Sequence, residues 1–340
     1  MSSVQIEVES RKRVRSNGAS SQRERRILCA TDLGLSSDRT LRRAALIAKQ
    51  MNARVLFLHV VSERQPVRVM HLKANRARVR LMVQAEKAMA HAPEMASVEI
   101  HFGKPRRVIG EIAAQWNADL IVLASPVSRR YDRILGTTAE RIIRSVACPV
   151  LLVNQEPLDQ YKQIAVASDL SATSVRVAHA IRRLRVFDEA LAWFVHAAEP
   201  AFDTSSTEKP AALEELEQRK NRWRKIVSAE LSAQLVGAGL DLSRVRIAAE
   251  FASPLDALEE IVEKLNPELL VMGTSRWFVL KRMLLRSVAH QILKRVSSDI
   301  LAVPPHTSWS TERVGDAILE EIVWHPSTVV AANPSRLEVN

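Results

Sequence analysis

The stretch ADLIVLASPVSRRYDRILGTTAERIIRSVACPVLLV, Ala118 to Val153, reads as an apolar strand, a loop, a Gly-Thr helix start, a helix and a second apolar strand. It has an echo near the C-terminus, PELLVMGTSRWFVLKRMLLRSVAHQILKRVSSDILAV, from Pro267 to Val303. Two copies of one strand–loop–helix–strand unit predict a duplicated domain. In such a unit the loop before the helix is where phosphate would be held, on backbone N–H groups and the positive end of the helix dipole.

Upstream of the first copy of this unit, the chain alternates strand and helix patterns. ILCATDL from Ile27 is a strand, and SSDRTLRRAALIAKQMN is a helix with apolar spacing at Leu41, Ala44, Ala45 and Ala48. ARVLFLHVV is a continuous apolar run of the kind a parallel sheet buries on both faces. A long basic helix follows to about His91, then SVEIHFG as a third strand and a helix from Pro105 to Trp116. This alternation predicts a doubly wound parallel sheet.

The second half repeats the order. Ile27, Asp32 and His59 find Ile164, Asp169 and His196, each 137 positions later, and Phe102 and Pro105 find Phe251 and Pro254, 149 later. Leu120 to Ala124 match Leu269 to Gly273 at 149, while Gly136, Thr137 and Val153 fall on Arg286, Ser287 and Val303 at 150. Fixed offsets over this many positions indicate duplication. The second copy carries about 12 more residues around its second helix, where Leu213, Leu216, Trp223, Ile226, Val227, Leu231 and Leu235 have helical spacing suited to packing. The expected organisation is a basic, aperiodic arm over 1–24, domains over 25–155 and 160–304, and a C-terminal extension over 305–340. Within that extension Glu312 to Trp324 has the spacing of a short amphipathic helix.

Composition narrows the class. The 340 residues are 47% hydrophobic and 26% charged, ordinary for a soluble globular protein of two domains. Cys29 and Cys148 are too few for a disulfide framework and lack metal-ligand spacing, so they read as buried thiols in a reducing compartment. No apolar run approaches the roughly 20 residues of a membrane span, and the run after Arg25-Arg26 is too short for a signal core, so the expected location is the cytoplasm. The net charge of +11 concentrates in the arm, at Arg11 to Arg26, and in Arg64 to Lys87. Such runs attract polyanions and anionic membranes, although a solvated helix face is the usual explanation and nucleic acid the lesser one.

In an open parallel sheet, ligands bind beyond the carboxyl ends of the strands where strand order reverses. Those ends are Thr31-Asp32 and Ser168-Asp169, Val60 and Ala197, and the loops after Ala124 and Gly273. A strand-end Asp accepts from an adenine amine or a ribose hydroxyl, or caps the next helix; both readings stand. His59 and His196 read as strand histidines satisfied by backbone rather than as metal ligands. No nucleophile elbow, P-loop or carboxylate pair occurs, so no catalytic residue and no metal ligand is expected.

These residues together resemble the universal stress protein family, in its tandem two-domain type. The family's T/S-D-L start becomes Thr31-Asp32-Leu33 and Ser168-Asp169-Leu170-Ser171. Its L-H-V second strand becomes Leu58-His59-Val60 and Val195-His196-Ala197. The resemblance covers about 280 residues, from Arg26 to Val303. It implies an α/β fold of two tandem Rossmann-like (adenine nucleotide alpha hydrolase-like) domains, each with a five-stranded parallel sheet. It further implies that the fifth strands, CPVLLV and DILAV, pair inside one chain, and it leaves a further homodimer open.

Some family members bind ATP through a Gly-x2-Gly-x9-Gly-Ser/Thr loop and others have lost it. Here neither loop is intact. In the first copy the loop is a residue short, Ala124 stands for the first glycine, and Pro126 or Val127 for the second; Pro126 has no N–H to give. Gly136-Thr137 survives, and Thr137-x-x-Glu140 reads as a capping box. In the second copy Gly273 stays beside Thr274 and Ser275, but Arg276 and Arg286 replace the other glycines, ahead of Ser287. Those arginines would pair with phosphate or fill the pocket, and exclusion is the better reading.

The candidate nucleotide-binding residues are Thr31, Asp32, Val60, Ala124, Gly136, Thr137 and Thr138 in the first copy. In the second, weaker set they are Ser168, Asp169, Ala197, Gly273, Thr274 and Ser287. The expected function is a non-enzymatic cytoplasmic stress-response protein with vestigial binding of ATP or AMP, with Mg²⁺ if ATP. The alternatives are a polyanion-binding module built on the arm and the Arg64–Lys87 helix, and an ATP-binding switch.

Overall fold

The computed structural model describes residues 23–125, 137–186, 188–198, 210–274 and 298–305. Among the described residues the apolar runs form strands and the runs with a 3.6-residue apolar period form helices. The first half holds β1 (Arg25–Thr31), α1 (Ser37–Met51), β2 (Ala53–Val61), α2 (Val67–Ala88), β3 (Ala96–Phe102), α3 (Pro105–Gln115), β4 (Leu120–Ala124), α4 (Thr137–Ile143) and β5 (Val150–Val153). The second holds β6 (Gln163–Ser168), α5 (Ala172–Arg183), β7 (Leu191–Ala197), α6 (Pro210–Gly237), β8 (Val245–Glu250), α7 (Pro254–Leu265), β9 (Leu269–Gly273) and β10 (Asp299–Val303). The basic helix α2 stops at Ala88, short of His91, because the chain turns at Met89 and Pro93 then opens a 3-10 turn. The arm over 1–22, the loops after β4 and β9, and the extension beyond 305 lie outside the described residues.

The ten strands form one sheet, in the order β3-β2-β1-β4-β5-β10-β9-β6-β7-β8. Within each half every pairing is parallel, and strand order reverses between β1 and β4 and again between β6 and β9. The halves meet through the antiparallel pair β5–β10, in which Ile300, Leu301 and Ala302 face Leu152, Leu151 and Val150. This is the pairing of CPVLLV with DILAV expected from the resemblance. It removes two edges and leaves only β3 and β8 as edge strands of this sheet.

Strand residues alternate between two cores because successive side chains point to opposite faces. Ile27, Cys29, Val55, Phe57, Leu301 and Val303 join one cluster with Ala44 and Ala48 of α1, Leu81 of α2, Val177 and Ile181 of α5, and Leu231 of α6. That cluster runs unbroken across both halves. The opposite face is divided. Leu28, Leu58, Leu152 and Ile300 pack with α3 and α4, while Ala165, Val195 and Leu270 pack with α7. Along α6, Val227, Leu231 and Leu235 are buried as their spacing predicts, but Ile226 points to solvent.

A buried charge ties the halves together. The Asp299 carboxylate, at the start of β10, is fully buried and accepts from Arg43 Nε at 3.1 Å, Tyr161 Oη at 2.7 Å, Asn154 N at 2.7 Å and Gln155 N at 2.9 Å. Arg43 comes from α1, and its guanidinium also lies 4.0 Å over the Tyr161 ring and donates to the Asp159 carbonyl. Burial, then the nearby Asp299 charge, pushes the Tyr161 phenol well above its ordinary pKa. A second pair, Arg183 of α5 to the buried Asp119 at 3.1 Å, crosses the join in the opposite sense.

Replacing Asp299 with Ala should destabilise the chain by about 3–5 kcal/mol, because it strands Arg43 and two backbone N–H groups in a dry interior. Urea unfolding followed by circular dichroism measures this, and an unchanged midpoint would show that the cluster does not hold the halves together.

Candidate functional site

The carboxyl ends of β1, β2 and β4 meet at one strand-order reversal, and those of β6, β7 and β9 at the other. Both ends carry the same turn. The Thr31 hydroxyl contacts Ser37 Oγ at 2.5 Å and accepts from Leu33 N at 3.0 Å. At the matching positions, Ser168 Oγ bonds Ser174 Oγ at 3.0 Å and accepts from Leu170 N at 3.4 Å. In each case the strand-end hydroxyl folds the chain back onto the start of the next helix. Leu33 and Leu170 are held there at φ of 59° and 58°, a left-handed conformation that costs a leucine roughly 1–2 kcal/mol. Strain repeated at the same place in both copies marks the strand end as over-determined by its surroundings.

The two strand-end aspartates are used differently. Asp32 is exposed, and its Oδ1 accepts from Gly34 N at 2.8 Å, an Asx turn rather than a helix cap. The residue before α1 is Ser36, which makes no side-chain cap. Asp169 is half-buried, and its Oδ1 accepts from Ser171 N, Ser171 Oγ and Ser174 Oγ at 3.0, 2.5 and 3.0 Å. Ser171 in turn caps α5 by accepting from Thr173 N.

His59 and His196 are both answered by backbone. Their Nδ1 atoms lie 2.9 Å from the Thr31 carbonyl and 3.0 Å from the Ser168 carbonyl, bracing each first strand against its second. Among the described residues no group of three or more His, Cys, Asp or Glu could hold a metal ion. Burial pushes the Cys148 thiol up to about 12 and that of Cys29 higher still, so both stay protonated and unreactive.

The remaining candidates divide. Val60 and Ala197 are half-buried at the ends of β2 and β7, and Ala124 closes β4 beside Val153. Thr138 is exposed on α4. Gly136, Ser287, Pro126, Arg276 and Arg286, and the side chains of Thr137 and Glu140 with the capping-box reading, lie outside the described residues. Gly273 has a packing reason to be glycine: a Cβ there would sit 2.0 Å from Thr173 Cγ2 on α5. Thr274 beside it is fully buried; its N donates to the Val303 carbonyl, and its Oγ1 has no partner among the described residues. At Thr173's repeat position the first copy has Ser36, one methyl smaller, and at Gly273's position it has Ala124, one methyl larger.

Aromatic rings mark the other difference between the copies. Trp223 of α6 stacks on Phe251 at 4.2 Å and lies 5.9 Å from His196, over the ends of β7 and β8. In the first copy the matching phenylalanine, Phe102, meets the smaller ring of His71, at 5.6 Å. The spacing of α6 marked Trp223 for packing, but only the fold shows that it covers a strand end. Neither described surface groove is at a strand-order reversal: one runs along α2 and the other beside the edge strand β8.

Comparison with known proteins follows the fold. Residues 24–154 and 160–304 each match the Universal stress protein family. The chain is 30% identical over 137 residues to the universal stress protein A homolog 1 of Coxiella burnetii, covering 37% of this chain and 94% of that protein. It is 30% identical over 141 residues to a universal stress protein of Methanocaldococcus jannaschii, covering 38% and 82%. Among solved structures, a universal stress protein from Archaeoglobus fulgidus matches with a TM-score of 0.56 at 17% identity, over 82% of this chain and 96% of its own. A protein of unknown function from Pseudomonas aeruginosa matches with a TM-score of 0.55 at 19% identity, over 84% and 94%. The first two relatives span a single copy, whereas both solved structures align across the two. With both halves matched, from residue 24 to residue 304, the chain belongs to the universal stress protein family.

Proposed function

We propose that this chain is a non-enzymatic stress-response protein of the cytoplasm, built of two stress domains over 25–155 and 160–304, in which adenine-nucleotide binding is weak and confined to the first domain. The observation that carries this reading is the unequal state of the two strand ends. In the second copy Trp223 covers the ends of β7 and β8, and the Asp169 carboxylate is spent on Ser171 and Ser174. In the first copy Asp32 is exposed and, among the described residues, bonded through Oδ1 to Gly34 alone, and Phe102 meets the smaller ring of His71. An acceptor at the end of β1 and an apolar wall at Val60 suit an adenosine. Gly136 and Thr137 would supply the backbone N–H groups for phosphate, with Mg²⁺ accompanying ATP.

Isothermal titration with ATP and Mg²⁺ should give at most one site, weaker than about 1 μM, that is less than about 8 kcal/mol. Sub-micromolar binding at two sites would overturn the reading. Gly136→Val should weaken that single site at least about tenfold, since a branched side chain bars the close approach of phosphate to backbone. Unchanged affinity would put the nucleotide elsewhere. Steady release of phosphate from ATP by the purified chain would count against the non-enzymatic assignment.

A further inference from the structure

The sheet ends in two edge strands, β3 and β8, and the two copies treat them differently. In β3 the N–H and C=O groups of Ser97, Glu99 and His101 turn to β2, as the bond from Gly103 N to the Val61 carbonyl fixes. Those of Ala96, Val98, Ile100 and Phe102 therefore point away from the sheet, and nothing among the described residues bonds to that outward row. In β8 the outward row is Val245, Ile247 and Ala249. There Arg224 of α6 donates to the Ala249 carbonyl at 3.3 Å, and Arg246 donates to the Val245 carbonyl at 2.9 Å. Arginines thus blunt the second copy's edge, while the first copy's edge stays open to pairing.

The side chains of β3 are self-complementary. Ala96, Val98 and Ile100 pack into the core under α2, and Phe102 meets His71 of that helix. Ser97, Glu99 and His101 lie on the opposite face, which is open beyond α3 because that helix packs on β2. The side chains of Glu99 and His101 are 45% and 36% exposed and joined by a 2.7 Å bond. Set antiparallel about a twofold axis at Ile100, two copies of β3 bring Val98 against the partner's Phe102 and Ile100 against the partner's Ile100. Each of these pairs exchanges both backbone bonds. Between them Glu99 falls opposite the partner's His101, in the non-hydrogen-bonded positions where cross-strand side chains come closest. Outward groups recur every second residue, so the register slips only in steps of two. One such step sets Glu99 on Glu99 and the other sets His101 on His101, so charge selects a single register. In β8, Ala248 and Glu250 stand at the places of Glu99 and His101 and offer no such match.

Helix α2 leaves room for a partner. Gln84, bonded to Asp38, marks the side of α2 that faces α1, and His71, against Phe102, marks the side that faces the edge. On the edge side, helical spacing puts Arg78 and Met82 in line with His71. Arg76, Arg80 and Lys87 belong to the α1 side, and the exposed stripe of Leu72, Val79 and Val83 points outward, away from the sheet. The basic flank therefore stays clear of the edge, and Met82, 53% exposed, is the apolar residue that a partner's helix would cover.

We propose that β3 is the dimerisation edge of this protein: a second copy of the chain adds its own β3 antiparallel, across a twofold axis at Ile100, and extends the sheet beyond ten strands. The other edge, closed by Arg224 and Arg246, ends the assembly at two copies instead of letting it continue as a filament.

Sedimentation of the full chain tests the assignment. A species of twice the 38.0 kDa chain mass should grow in as concentration rises to about 100 μM. As it forms, hydrogen exchange should slow at the outward amides of Val98, Ile100 and Phe102, while those of Glu99 and His101, already bonded to β2, stay unchanged. His101→Glu sets carboxylates against each other across the axis and should weaken the dimer at least about tenfold; adding Glu99→Lys should restore it. Ile100→Pro removes an outward N–H that no bond to β2 uses, and should abolish the dimer. A monomer throughout that range would overturn the proposal, as would a dimer indifferent to the His101→Glu exchange and its rescue. Outward amides protected equally at every concentration would show the edge covered within one chain, and assemblies longer than a dimer would show β3 pairing with β8; either result overturns it.

Discussion

One fully buried carboxylate governs how the two halves of this protein meet. Asp299 sits at the start of β10, where the second half turns its last strand against the first half's β5. A charge in that place is tolerable only with partners, and it gathers them from across the chain: Arg43 of α1, the Tyr161 hydroxyl and two backbone N–H groups from the linker after β5. With the halves held in that register, residues from both sides of the join fall into one continuous hydrophobic cluster on the face of α1, α2, α5 and α6. The opposite face divides into two separate cores. The protein is therefore one sheet with a two-part lower layer, rather than two domains on a tether.

The strand ends show how much chemistry in this fold is structural. A hydroxyl, an aspartate, a left-handed leucine and a histidine recur in both copies, and all but the aspartate have matching partners in each. The hydroxyl and the histidine serve the backbone: one closes the turn into the helix and the other ties the second strand to the first. These residues would be required whether or not a ligand ever arrives. What separates the copies lies around that shared turn, in the room left beside it. An indole lies over the ends of β7 and β8, where the first copy has the smaller ring of His71, whereas the Thr173 methyl over Gly273 is answered in the first copy by the methyl of Ala124 opposite Ser36.

The same contrast runs through the second helices. α6 is longer, internally ion-paired and nearly charge-balanced, although Ile226 and Val236 are exposed on it. α2 holds an uncompensated basic flank around exposed valines and a leucine, a combination that water solvates poorly. After duplication each copy inherited the positions that hold the sheet, while the surfaces became free to differ.

Much of the fold was legible in the residues themselves. Apolar runs buried on both faces, fixed offsets of 137 and 149, and the paired Asp and His positions determined the duplicated parallel sheet, because strand burial and repeat spacing are local patterns. The histidines' bond to backbone was legible for the same reason. Gly273 was not: read along the chain it looks like a surviving phosphate glycine, and only the approach of α5 shows Thr173 occupying the space its side chain would need. Asp32 and Asp169 could each be read as ligand or cap, and their different partners follow from whether Gly34 or Ser171 stands two residues on. The burial of Asp299 with Arg43, 256 positions away, and the exposure of the α2 stripe were likewise decided by tertiary structure. The first depends on which surfaces the join of β5 and β10 covers and the second on which face α2 turns to β2 and β3, and no local pattern along the chain carries that information.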